Sequence, residues 1–446
     1  MSEDMRFFYF SFFLFKVILR NRLYHGAILR RKAVYPMKRK QPWMRKMAMF
    51  TAGMMAAVMI LAGGFGMNAA SAAAGTAVYE SSELFTDRDL QQTADLSEAV
   101  YLTVTDGQDL RITEAGTYVL SGTASEVTVY VEAPEDAKVQ LVLQGLNLAN
   151  SDFPCIYVVS ADKVFITTAG DSSLAVTGTF RADGSTNTDG VIFCRSDLVL
   201  NGTASLTIRS TENGVVCKDD LKITGGTYTV TANSKAFEAN DSIRVLDGTF
   251  VLRAGTDGFH AENEEDDSKG YVYIGGGTAS ITANDDGIHA TSVVQIDGGS
   301  LEITAAEGIE GTYVQVNGGT VNISASDDGI NAARKSTSVE VAVEISGGTV
   351  NVAMGAGDTD GVDSNGNLYI LGGEISVTGN STFDYDGNLT FTGGTVYING
   401  QQTSSIPNQI MGGMGGGMGG WGNNQGGWDN GGMGGGRGGR GGFGGR

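Results

Sequence analysis

The stretch DGIHATSVVQIDGGSLEITAAE, residues 286–307, runs straight into GIEGTYVQVNGGTVNISASD, residues 308–327. Each segment contains a turn at an acidic-Gly-Ile step, a short β-rich run, a Gly-Gly turn and a strand in which Val, Ile and Leu alternate with polar residues. That alternation has period 2, and no apolar period of 3.6 competes with it. The unit recurs behind small anchor residues: Gly190, Gly214, Ala236, Gly258, Gly287, Gly308, Gly329 and Gly361. Their basic spacing is 21 to 24 residues, with two longer steps. The longer steps hold ENEEDDSKG (262–270) and ARKSTSVEV (333–341), polar enough to be loops leaving the repeat at its turns. Gly-Gly turns recur at Gly225, Gly276, Gly298, Gly318, Gly347, Gly372 and Gly393, where a positive φ is expected to exclude other residues.

A unit of about 22 residues cannot bury its own apolar face, so neighbouring units must stack. Parallel stacking advances an axis by about 4.8 Å per coil and turns Ile, Val and Leu into inward ladders. The expected fold is therefore all-β, a right-handed parallel β-helix over residues 101–400. Propeller blades of about 40 residues and unrepeated sandwiches fit this spacing less well. Residues 74–100 carry the only mildly helical pattern after the N-terminal region and are expected to be a linker and a lid over the first coil. Residues 401–446, rich in Gly, Met and Arg with Trp421 and Trp428, lack the apolar content of a core and are expected to be disordered.

The N-terminal region has a different composition. Residues 37–73 hold KRKQPWMRK, an apolar run from Met47 to Met67 and the small residues AASAAA, the pattern of a secretory signal. An uncleaved membrane anchor is the alternative reading. Residues 1–36 read as a doubtful leader ahead of a start at Met37. Without residues 1–73, 18 Lys and Arg remain against 48 Asp and Glu. Such a surface repels nucleic acid and attracts cations, and with the signal it places the protein outside the cell or on its surface. Cys155, Cys194 and Cys217 are too few for a disulfide framework and lack metal-site spacing, so they read as buried small apolar residues.

Stacking in register converts a sequence position into a line of side chains, and two such lines are acidic. One stands just before the anchors: Asp189, Asn213, Lys235, Asp257, Asp286, Glu307, Asp328 and Asp360. The other stands two places after them: Glu238, His260, His289, Glu310, Asn331 and Asp363, continued by Asp384. Carboxylates about 5 Å apart repel unless a cation lies between them, and hard oxygen donors select calcium. The expected calcium ligands are Asp257, Asp285, Asp286, Glu307, Glu310, Asp327, Asp328, Asn331, Asp358, Asp360, Asp363, Asn365, Asp384 and Asp386. Turn preference alone explains any single Asp-Gly pair, but not the second line. His260 and His289 suit calcium poorly and read as turn residues or hydrogen-bond donors to a glycan.

The segments ITEAGTYVLSG (112–122), VQLVLQGLNL (139–148) and IYVVSADKVFITTAG (156–170) resemble the secreted carbohydrate-binding proteins of clostridia with a polysaccharide-lyase-like right-handed β-helix. So do DGIHA (286–290), DGINA (328–332), DGVDSNG (360–366) and the Gly-Arg tail. The resemblance covers residues 95–400 and implies binding of cellulose-like and pectic polymers, with bound calcium and without established lyase activity. Trp is absent between Ala74 and Gly420, so Tyr271, Tyr313, Tyr369 and Tyr385 are the candidate sugar platforms, with His260 and His289 beside them. Two other functions stay open. A calcium-dependent lyase needs a base such as Lys235, Arg244, Arg253 or Arg334 beside the metal. A surface adhesin or scaffold needs calcium only for rigidity.

Overall fold

The computed structural model describes residues 75–356 and 359–408. The proposed leader, the signal, Asp358 and residues 409–446 lie outside the described residues. Among the described residues, each complete coil contributes three short strands, each pairing in parallel with its equivalent in the next coil. One coil runs Asp286–Ala290, Val293–Ile296, Ser300–Ala305; the next runs Glu307–Gly311, Tyr313–Val316, Thr320–Ala325. The result is an all-β, β-helix-like solenoid with three faces, here called the first, second and third in that order. Twelve strands form the first face, from Leu110–Ile112 to Ser381–Tyr385.

Period-2 alternation puts every second side chain inside. Ile288, Ile309, Ile330 and Val362 stack in one fully buried ladder that ends on Phe383. Phe237 and Phe259 continue it, with ring centroids 5.3 Å apart. Full burial of such a side chain is worth roughly 1.5–3 kcal/mol, and the ladder repeats it at every rung. Cys194 and Cys217 are register partners inside the same core, as their spacing suggests.

The anchor glycines answer to space rather than to φ. A Cβ on Gly308 would lie 2.4 Å from the Gly329 carbonyl and 2.5 Å from the Ile323 side chain. At the Gly-Gly turns the expectation needs correcting: the positive φ belongs to the second glycine, +91° at Gly299 and +81° at Gly319. The first is small because the previous coil's backbone touches it; a Cβ on Gly318 would stand 2.4 Å from the Asp297 carbonyl. Register also corrects the first anchor. Asn213 pairs with Gly190, so Val191 takes the anchor's place and Asp189 falls outside its column.

Residues 75–99 are not a lid. Residues 75–92 form a strap along the outside of the second face, running against the direction of the coils. The Gly75 amide donates to Glu344 Oε1 at 3.0 Å, the Val78 amide to Gln315 Oε1 at 3.2 Å and the Tyr79 amide to Gln295 Oε1 at 2.8 Å. Phe85 then meets Tyr273, Asp89 takes Lys222 Nζ at 3.0 Å, and Arg88 lies over Phe165. All these receiving residues belong to one outward column, Phe165–Val199–Lys222–Arg244–Tyr273–Gln295–Gln315–Glu344. The far end of the solenoid is closed differently. Gln401–Thr403 folds back antiparallel onto Thr395–Ile398 and Ile406 is buried against the core, so order extends past the expected boundary at residue 400.

The two insertions leave at the same edge of the first face and meet. Asp267 of one accepts from the Thr337 amide of the other at 2.7 Å, and Thr312 Oγ1 accepts from the Lys335 and Ser336 amides at 2.9 Å. Together they make a wall along that edge.

Asp89 is fully buried, and removing its charge strands Lys222 in the same environment. Asp89→Ala is expected to cost about 3–5 kcal/mol, the range for breaking a buried ion pair. It should also release the strap: limited proteolysis should cut within residues 75–99 while the coils survive. Unchanged protease resistance together with an unchanged denaturation midpoint would contradict the strap's anchoring.

Candidate functional site

The outward positions of the first face form one continuous column whose character changes along the axis. It begins with Arg111, Tyr130, Tyr157 and Phe193. After Val216 it turns polar: Glu238, His260, His289, Glu310, Asn331, Asp363 and Asp384 are successive register partners. The second acidic line expected from the sequence is thus a physical row. The first line, from Asn213 to Asp360, runs beside it.

The two rows behave differently. In the first, Asn213 Oδ1 accepts from the Lys235 amide at 3.0 Å, Asp257 Oδ1 from Asp286 at 3.1 Å and Asp328 Oδ1 from Asp360 at 3.1 Å. Each side chain satisfies a backbone donor of the next coil, which is the turn chemistry that favours Asp and Asn. No such backbone partnering accounts for the second row.

In the middle of the solenoid, the row is neutralised by cations. Lys218 Nζ is 2.9 Å from Glu238 Oε1, and Lys235 Nζ is 3.6 Å from its Oε2. His260 Nδ1 stands 2.8 Å from Asp257 Oδ2. His289 Nδ1 stands 2.6 Å from Asp286 Oδ2 and 2.9 Å from Glu310 Oε2. Burial opposes charge on His289, but these two carboxylates outweigh it and push its pKa up to about 9. Lys335 Nζ holds the other Glu310 oxygen at 2.9 Å. Both histidines are more than nine-tenths buried, so they are not the solvated turn residues the sequence suggests.

Among the described residues the ion pairs of the row end at Lys335 and Glu310, short of the C-terminal coils. Burial first, and then Asp328, Asp360, Asp384 and Asp386, push Asp363 up to about 7. Glu307 is also raised to about 7, by burial and then by Glu310, Asp286 and Asp328, against the help of Asn331. Asp328 reaches about 6 by burial and the neighbouring Asp327, Asp360 and Glu310. Among these crowded acceptors, Asn331 Oδ1 and Asp384 Oδ1 are buried with no hydrogen-bond donor. Asp285, Asp327, Asn365 and Asp386 lie at the exposed turns flanking the rows.

The tyrosine platforms need correction. Tyr79 of the strap stacks on Tyr271 at 4.2 Å, covering the ring a sugar would use. Tyr313 is 3% exposed, and its hydroxyl donates to Glu344 at 2.8 Å. Tyr369 bonds Glu340, and Tyr385 packs into the C-terminal closure beside Asn408. Of the four bases considered for a lyase, three are placed away from the acidic C-terminal coils and the fourth, Arg334, extends from the second insertion beside Lys335. Lys235 pairs with Glu238, Arg244 with Asp220 beneath the strap, Arg253 is on the third face and Arg334 is exposed. The amine at the row is Lys335, whose place in the second insertion, four residues past Asn331, was the available signal.

These features define a class: an acidic β-helix-like solenoid with a walled ladder of side chains on one face. A family model described as carbohydrate-binding domain-containing protein matches residues 106–361, more than half of the chain, and the chain belongs to that family. A carbohydrate-binding domain-containing protein of Acetivibrio thermocellus is 32% identical over 130 residues, 28% of this chain; the match spans 46% of that relative's length. A solved structure of a polysaccharide lyase-like protein from C. thermocellum, a gadolinium derivative, is 28% identical. It aligns over 54% of this chain and 98% of its own, with a TM-score of 0.43. Among the described residues no helix is long and apolar enough to cross a membrane.

Beside Glu238, under the first insertion, lies a cleft of about 680 Å³ lined by Lys218, Asp219, Lys235, Asp241 and Lys269 among others. Burial, then Asp241, Asp197 and Asp220, raise Asp219 to about 7. A carboxyl raised on folding contributes stability that is complete below its ordinary pKa near 3.8 and is lost as pH rises through about 7. Asp219→Asn should therefore melt on the order of 1–3 °C higher than the parent at pH 8 and equally at pH 4. Melting curves across that range check it, and a lower melting point at pH 8 would contradict it.

Proposed function

We propose that this protein is an extracellular, calcium-dependent polysaccharide-binding protein whose ligand lies along the walled acidic face. The family supports carbohydrate as the ligand class. The observation that carries the rest is the C-terminal end of the ladder. There Glu307, Asp328 and Asp363 hold protons at pH values where carboxyls are ordinarily ionised, next to the orphaned oxygens of Asn331 and Asp384. Buried oxygens that lack donors and raise one another's pKa are what a hard cation relieves.

The donor set is all oxygen and fits calcium. Adjacent coils would hold it, Glu307 with Asp328 and Asn331, or Asp328 and Asn331 with Asp360 and Asp363, or Asp360 and Asp363 with Asp384, with Asp358 as the further ligand expected from the sequence. When bound, calcium supplies the positive charge that lets a polyanion approach. The protein's own side chains fix the spacing, which repeats every coil and so suits an extended polymer rather than a single sugar. A pectic polyuronate fits this surface best, and a cellulose-like chain is the second candidate. We take the coil to be right-handed, the sense nearly all parallel crossovers adopt. Export rests on the signal pattern of residues 37–73.

The test is retention of the mature protein on polygalacturonate and on insoluble cellulose, with calcium and with chelator, while absorbance reports any unsaturated uronide. Calcium-dependent retention without new absorbance is expected. Asp363→Asn should weaken the calcium-dependent part about tenfold, roughly 1.4 kcal/mol. Because that substitution removes a charge its neighbours oppose, it should not lower the melting temperature without calcium. Retention indifferent to chelator would sink the calcium reading, absorbance growth would favour the lyase with Lys335 near its centre, and stabilisation by calcium without retention would favour the scaffold.

A further inference from the structure

We propose that Asp286, His289 and Glu310 form a site for a first-row transition-metal ion of the zinc type, adjoining the all-oxygen cluster at Glu307, which pairs in register with Asp286, and distinct from it in its nitrogen donor. The three donors come from two adjacent coils. His289 and Glu310 are register partners, and Asp286 precedes His289 by three residues on the same strand. His289 Nδ1 faces Asp286 Oδ2 at 2.6 Å and Glu310 Oε2 at 2.9 Å; the three residues are 8%, 5% and 8% exposed respectively. One donor atom from each falls within 4.8 Å of the others. Tetrahedral ligands at about 2.0–2.1 Å from zinc stand roughly 3.3 Å apart, so about half an ångström of opening admits the ion.

Donor chemistry separates this site from a calcium site. Calcium takes oxygen, whereas an imidazole nitrogen with carboxylates suits zinc, cobalt and nickel. A second observation points the same way. One coil earlier the sequence repeats the arrangement, Asp-Gly-Phe-His for Asp-Gly-Ile-His, and His260 stacks on His289 at 4.5 Å with an interplanar angle of 16°. Its Nδ1 is buried and 2.8 Å from Asp257 Oδ2, giving a nitrogen and an oxygen one rung from the site. Both histidines of the described residues are thus spent at one place on the ladder. Lys335 engages Glu310 Oε1 and leaves Oε2 for the ion. Binding replaces the proton that bridges His289 to the two carboxylates, so one proton leaves for each ion held.

The test uses the mature chain without a histidine tag, stripped of metal, titrated with cobalt(II). One equivalent should produce the visible absorption of a four- or five-coordinate ion, be displaced by zinc and survive millimolar calcium. His289→Ala should abolish that spectrum, and Glu310→Gln, which keeps shape and hydrogen bonding, should weaken cobalt at least tenfold. Asp363→Asn should leave it unchanged, separating this site from the calcium cluster, and circular dichroism establishes that each variant is folded. No stoichiometric spectrum in the parent protein, displacement by calcium, or an undiminished spectrum in folded His289→Ala would overturn the proposal and leave the triad a salt link between coils.

Discussion

Everything in this molecule follows from the parallel, in-register pairing of one coil on the next. With a rung every 4.8 Å or so, each side chain's nearest outward neighbour is its own counterpart in the adjacent repeat. For apolar positions this is favourable without further provision, and Ile288, Ile309 and Ile330 simply stack. For an anchor glycine it fixes the residue type, because the next coil's carbonyl occupies the space of a Cβ. For a carboxylate it creates a repulsion that the fold cannot avoid by turning the side chain away.

The ladder resolves that repulsion in three ways along its length. In the first row, Asn213, Asp257 and Asp328 each give one oxygen to the next coil's backbone amide, which ties that oxygen to the structure and, for the two aspartates, leaves the other free to face the row. In the middle of the second row, carboxylates alternate with or lean on His260, His289, Lys218, Lys235 and Lys335. In the C-terminal coils no cation among the described residues pairs with them, and the charge is reduced by retained protons instead. Chemistry that needs a bound cation belongs where the protein has left its own out.

The repeat itself was legible because a period of 21 to 24 residues, punctuated by Gly-Gly, survives any single substitution. The second acidic row was legible for the same reason, and register bears it out residue by residue from Glu238 to Asp384. What escaped depends on contacts between segments far apart in the chain. Tyr271 and Tyr313 looked like open platforms because nothing in their local pattern announces that residues 75–79 lie over them. The pairing of histidines with carboxylates was hidden differently: Asp286 and His289 are close in sequence, but Glu310 completes the triad from another coil. Gly190 misled because one extra residue displaces the anchor without disturbing the composition around it.

The strap has a consequence for the order in which the chain assembles. The partners of Gly75, Val78 and Tyr79 lie 216 to 269 residues away, on strands made long after them. Coils can add one upon another as they emerge, each on the template of the last, because their contacts are nearly local. The binding column for residues 75–89 exists only once the coil carrying Glu344 has closed. The first segment of the described chain therefore cannot finish docking until most of the solenoid is made, and until then the uncovered part of the column, with its Gln and Glu side chains, faces the surrounding medium.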